Sequence, residues 1–103
     1  MKVGIIGVGY WGKIILKNLE SLGIEEIVLC DTNFPDLEIF QKYEKFNDYK
    51  KLDCDYVVIT TPTTTHFDIC KYFLEKNINI FCEKPLTLSS SEAEILYDIA
   101  IKS

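Results

Sequence analysis

The sequence contains no arginine, only one histidine (His66) and no Cys-x-x-Cys pair, and each of these absences excludes something. The basic residues are all lysines, scattered along a chain of net charge −5. No stripe of positive charge forms, so neither nucleic acid nor an anionic membrane surface is an expected partner. No apolar run approaches the roughly 20 residues that span a bilayer. The N-terminus enters a glycine-interrupted apolar segment rather than a secretion signal, so a soluble, cytoplasmic protein is expected. Cys30, Cys54, Cys70 and Cys82 lack the spacing and histidine neighbours of a metal site, and no metal is expected. Three of the four lie in or beside apolar runs, where a reduced thiol behaves as a small buried hydrophobe. Low-complexity tracts, internal repeats and linkers are also missing, and 103 residues suffice for one domain with a real core.

What is present is an alternation of short apolar runs with helix-period segments. Residues 3–6 read as a strand buried on both faces. Residues 11–22 read as a helix, with Ile15, Leu19 and Leu22 at helical spacing and Gly23 just past its end. Residues 27–30 form a second strand ending at Asp31. Residues 33–52 are less regular, with a turn at 33–35, a short helix within 37–43, a brief edge strand at 45–46 and a helical turn at 48–52. A β-branched strand follows at 56–60, then a helix reaching Asn77 with Phe67, Cys70 and Leu74 on one face, and a strand at 78–82. Ser89 and Glu92 are spaced as a capping box opening a last helix that buries Ile95, Leu96, Ile99 and Ala100. Such alternation predicts an α/β fold of Rossmann type, an open parallel sheet with helices on both faces. Right-handed crossovers give the order 3-2-1-4-5. Ligands of such sheets bind outside the carboxyl ends of the strands, where the order reverses.

Three segments empty into that crevice. The first is Gly7-Val8-Gly9-Tyr10-Trp11-Gly12, a Gly-x-Gly-x-x-Gly between a strand and a helix. Gly7 allows the chain to turn off the strand, Gly9 leaves room for a pyrophosphate and Gly12 lets the helix pack closely. The helix N-terminus offers free N–H donors to the phosphates. Asp31, closing the second strand, is placed to accept hydrogen bonds from an adenosine ribose and to repel a 2′-phosphate. With no arginine to receive that phosphate, NAD is favoured over NADP. Thr60, Thr61 and Pro62 form a wall against the cofactor, the proline fixing the turn. Tyr10 and Trp11 either cover the pyrophosphate or pack on the sheet, packing being the preferred reading for Trp11. His66, four residues after Pro62, borders the same cleft, with a structural role favoured over chemistry. In Glu83-Lys84-Pro85, Lys84 is the candidate catalytic residue. A partly desolvated ammonium there could bond a substrate hydroxyl and the cofactor ribose, held by Glu83. Read alone, the tripeptide is also an ordinary strand exit.

Taken together, Gly7 to Gly12, Asp31, Thr61-Pro62 with His66, and Cys82-Glu83-Lys84-Pro85-Leu86 resemble the glucose-fructose oxidoreductase / inositol dehydrogenase / MocA family, nearly end to end. The resemblance implies a nucleotide domain that binds NAD(P), the lysine of the Glu-Lys-Pro motif in catalysis, a cis Lys84–Pro85 peptide, and sugars, cyclitols or their derivatives as substrates. The Gly-Tyr-Trp-Gly variant is similar to the branch acting on nucleotide-linked sugars. Family members carry a second α/β domain with most of the sugar site, and this sequence ends before the last strand of the usual nucleotide domain. The expectation is an oxidoreductase domain that is catalytically incomplete alone. The alternative is a stand-alone NAD-binding module, regulatory or vestigial. An uncovered last strand further implies a homo-oligomer.

Overall fold

The computed structural model describes residues 1–82 and 90–102. The chain builds β1 (Val3–Ile6), α1 (Tyr10–Ser21), β2 (Ile27–Cys30), β3 (Glu44–Phe46), β4 (Tyr56–Ile59), α2 (His66–Glu75), β5 (Asn79–Cys82) and α3 (Ser90–Lys102). Every residue of β1 and β2 is buried, as apolar character at successive positions requires of strands covered on both faces. The five strands lie in the order β3-β2-β1-β4-β5, and all neighbours are parallel. This is the order that the alternation of elements predicts.

Side-chain alternation splits the core in two. Ile5, Ile27 and Leu29 face α1, packing with Val8, Leu16 and Phe40. Ile6, Val28, Val57 and Ile59 face the other way, against Ile69, Cys70 and Phe73 of α2 and Leu96 of α3. Each fully buried side chain such as Leu16 or Phe73 contributes about 1.5–3 kcal/mol over its exposed state. The irregular stretch before β4 contains 3-10 turns at Glu38–Phe40 and Tyr49–Lys51, the second opened by Asp48, whose carboxylate accepts the Lys50 N–H at 3.0 Å. α2 ends before Asn77, which adopts the left-handed conformation (φ 60°) that asparagine tolerates.

Three expected apolar contacts differ. Leu22 is 77% exposed because α1 stops at Ser21 and the chain is already turning away. On α3, Leu96 is buried but Ile95 and Ala100 are exposed, since this helix covers the sheet from one side, beside α2. On α2, the buried stripe is centred on Ile69, Cys70 and Phe73, with Phe67 and Leu74 at its margins. Ser89 lies outside the described residues.

The register fixes where function can sit. Ile6 is level with Cys30 and Ile59, and Ile59 with Cys82. Gly7, Asp31 and Thr60 therefore leave the sheet side by side, at one edge.

Candidate functional site

The glycine loop is built by close backbone approach. Gly7 has φ +96°, and a Cβ placed on it would lie 2.9 Å from Thr60 Oγ1 and 3.0 Å from the Thr61 nitrogen. At Gly12, an added Cβ would lie 2.1 Å from the Gly7 carbonyl oxygen, so α1 rests directly on the turn. Gly9 is different. Its φ is −71°, outside the left-handed region, and an added Cβ would meet no atom of the described residues within 4 Å. The helical ladder begins with the Lys13 N–H donating to the Gly9 carbonyl at 3.0 Å, so the N–H groups of residues 10–12 precede it. Among the described residues no side chain caps this terminus, and no acid stands in its first turn. Partial positive charge thus gathers beside the open space at Gly9.

Asp31 ties this loop to the next. Its Oδ2 accepts the Val8 N–H at 2.9 Å, while Oδ1 accepts the Asn33 N–H at 3.3 Å and lies 3.4 Å from the Thr32 hydroxyl. The Asp31 backbone is held in turn, its N–H donating to the Phe46 carbonyl at 3.0 Å and its carbonyl accepting from Asn47 Nδ2 at 3.2 Å. Sequence reading gives Asp31 to a ribose alone; the fold also uses it to pin the glycine turn. Each carboxylate oxygen has two lone pairs, so Oδ2, with a single donor, keeps capacity for a further one.

The segment after β4 forms the opposite wall. Thr60 donates its hydroxyl to the Gly7 carbonyl at 2.7 Å, and its N–H to the Ile6 carbonyl at 2.9 Å. Thr65 Oγ1 lies 2.6 Å from both Thr61 Oγ1 and the Pro62 carbonyl. His66, the first residue of α2, is only 2% exposed, and its Nε2 donates to the Thr61 carbonyl at 2.8 Å. A carbonyl only accepts, which fixes the proton on Nε2. Trp11, by contrast, does not pack into the core. It is 54% exposed, beside Tyr10 at 70%, because both lie on the outward face of the first turn of α1, where Gly12 faces the sheet. Their rings form an edge-to-face pair with centroids 5.2 Å apart.

Between these walls lies a cavity of about 410 Å³, bounded by Asp31 and Thr32 on one side, Thr61 and Pro62 on the other, and Ile6 and Cys30 below. Larger hollows lie elsewhere, one of about 610 Å³ between β5 and α3, one of about 520 Å³ at the opposite end of the sheet and one of about 430 Å³ on α3. Size does not decide between them. Of these hollows among the described residues, that of about 410 Å³ is the one at the carboxyl ends of the strands, with Asp31 and Thr61 in its lining. Among the described residues, no three histidine, cysteine or carboxylate side chains cluster as a metal site, and no helix is long and apolar enough to cross a membrane. Glu83, Lys84 and Pro85, with the expected cis peptide, lie outside the described residues; they follow Cys82, whose register with Ile59 brings the end of β5 to this edge.

The profile of the Gfo/Idh/MocA oxidoreductase family, NAD-binding Rossmann fold, matches residues 1–103. The chain belongs to this family. Inositol 2-dehydrogenase from Salmonella typhimurium is 30% identical over 105 residues, a match covering 91% of this chain and 31% of the relative. Among solved structures, a Gfo/Idh/MocA family oxidoreductase from Vibrio cholerae superposes with a TM-score of 0.88 at 31% identity, covering 99% of this chain and 35% of that one. UDP-N-acetylglucosamine 3-dehydrogenase from Acidithiobacillus ferrooxidans gives a TM-score of 0.86 at 29% identity, over 99% of this chain and 34% of that one. The chain thus spans about a third of the length of these Gfo/Idh/MocA relatives, and what it matches is their nucleotide-binding Rossmann domain.

Proposed function

We propose that the cleft binds NAD, and that the chain serves as the nucleotide domain of an oxidoreductase acting on a hydroxyl of a sugar, cyclitol or nucleotide sugar. The observation that carries this reading is Gly9. The fold demands glycine at 7 and 12 but not at 9, where an added Cβ would meet no atom of the described residues within 4 Å. A pyrophosphate approaching the uncapped N-terminus of α1 would need that space, and the N–H groups of residues 10–12 would meet its oxygens. Gly7 and Gly12 hold the turn. Tyr10 and Trp11 flank it from the solvent side. Thr60, Thr61, Pro62 and His66 form the wall toward the nicotinamide end.

Asp31 meets the adenosine ribose, its charge and the lack of arginine disfavouring a 2′-phosphate. Selectivity of this kind is set residue by residue, since a Bacillus subtilis relative, 28% identical over 105 residues, is an NADP(+)-linked scyllo-inositol 2-dehydrogenase. When bound, the nicotinamide supplies a hydride acceptor. In this reading Lys84, steadied by Glu83 and aimed by Pro85, assists departure of the substrate hydroxyl proton as hydride leaves the same carbon.

Calorimetric titration with NAD and NADP tests the cofactor assignment. NAD should bind more tightly, and Asp31→Ala should weaken it by roughly 1–3 kcal/mol as a charged hydrogen bond is lost. Tighter binding of NADP by the unaltered chain overturns the role given to Asp31.

A further inference from the structure

The cavity of about 410 Å³ extends toward the β2 and β3 side of the sheet, since Asn47 and Tyr49, which follow β3, line it together with Asp31. It therefore takes the adenosine half of the cofactor, and the inference drawn from it rests on the NAD reading. Ile6, Cys30, Pro62 and Ile69 give it the apolar lining that a flat base needs. A purine leaves its ribose through N9, so with the ribose at Asp31 its amino edge faces away from Asp31, toward α2. On that side the lining includes Asp68, exposed in the first turn of α2. We propose that Asp68 is a specificity-determining residue of the cleft, its carboxylate accepting the exocyclic amine of adenine.

Most other polar side chains of the lining are already engaged. Asn47 Nδ2 donates to the Asp31 carbonyl at 3.2 Å, and Thr65 Oγ1 lies 2.6 Å from both Thr61 Oγ1 and the Pro62 carbonyl. Asp68 is different. A carboxylate only accepts hydrogen bonds, and among the described residues no ion pair engages this one. Tyr49 completes that part of the lining, its ring set edge-to-face on Tyr72 with centroids 5.5 Å apart and tilted against Phe73 at 5.9 Å. Burial first, and then the charges of Asp68 and Asp48, push its phenol up, so the hydroxyl keeps its proton and can donate. Adenine presents on its far edge one donor, the amine, and one acceptor, N1. The amine suits Asp68 and N1 suits Tyr49. An acid in a first helical turn also meets the positive end of the helix dipole, but that role is indifferent to the base.

Calorimetric titration of this chain with NAD and with etheno-NAD decides the matter. In the analogue a two-carbon bridge closes a ring across N1 and the exocyclic nitrogen, so the amine donors are lost while both riboses, the pyrophosphate and the nicotinamide are unchanged. The unaltered chain should bind NAD at least roughly tenfold more tightly than etheno-NAD, as loss of a hydrogen bond to a charged group implies. Asp68→Asn keeps the size of the side chain and supplies an N–H donor, so NAD should weaken and the ratio of the two affinities should fall to within about threefold. A merely structural role for Asp68 would change both affinities alike and leave the ratio where it was. Equal binding of the two dinucleotides by the unaltered chain overturns the proposal, as does a ratio that Asp68→Asn does not move. If NAD itself fails to bind, the cofactor reading falls and this inference with it. The first comparison needs no variant to fold.

Discussion

The two loops that enclose the cleft are made by opposite means. The loop after β1 is nearly all backbone, with Gly7 turning, Gly12 touching the Gly7 carbonyl and one peptide N–H caught by Asp31. The segment after β4 is held by side chains, with Thr60 reaching across to Gly7, Thr65 closing on Pro62 and buried His66 capturing the Thr61 carbonyl. A loop made of backbone is set by what it excludes. A loop made of hydroxyls and an imidazole is set by the bonds it makes. The first should fail abruptly when a methyl group is added, the second in increments as partners are removed.

Gly12→Ala carries the largest expected effect. Its Cβ would lie 2.1 Å from a carbonyl oxygen, and backbone held by α1 on one side and the turn on the other cannot yield cheaply. Overpacking of this kind costs typically 1–3 kcal/mol and occasionally more, and here about 3 or more is expected. Urea denaturation should show the midpoint falling accordingly. A variant of unchanged stability would mean that the first loop is as adjustable as the second.

His66→Phe tests the other wall. The ring volume is roughly kept while the Thr61 carbonyl loses the Nε2 proton at 2.8 Å, so the penalty is that of an abandoned acceptor, about 1–3 kcal/mol. Thr60→Val, nearly isosteric, removes the 2.7 Å bond to Gly7 and should cost about 1 kcal/mol. Because that bond joins the two loops, NAD affinity should fall modestly with it. If Thr60→Val destabilises more than Gly12→Ala, the contrast between the loops is inverted.

Much of this was legible from residue order because parallel sheets impose strong local patterns. Continuous apolar runs at 3–6, 27–30 and 56–59 allow little besides doubly covered strands, and the glycine spacing locates the turn between β1 and α1. Tertiary pairings left no such trace. Nothing at Val8 announces that its N–H is held by a carboxylate 23 residues away. Gly4 looks like an incidental strand glycine, yet an added Cβ would lie 2.9 Å from Cys54 Sγ. Packing is the expectation for Trp11, whereas helix phase decides its exposure: the neighbouring Gly12 is the buried position.

The smallest effect on the fold is expected at Gly9, and it is the most informative. An added Cβ there meets no atom of the described residues within 4 Å, and φ −71° lies outside the left-handed region. The main structural penalty of a valine is as a poorer helix N-cap than glycine, roughly 1 kcal/mol or less. The β1 loop should therefore keep its shape, with circular dichroism and the urea midpoint close to those of the unaltered chain. Cofactor binding should nonetheless vanish, because the isopropyl group fills the path by which a pyrophosphate reaches the N–H groups of residues 10–12. Gly12→Ala and Gly9→Val thus separate two reasons for glycine in one motif, the first measured by unfolding and the second by calorimetry. A folded Gly9→Val chain that binds NAD as tightly as before would show that the open space at Gly9 is not the pyrophosphate site.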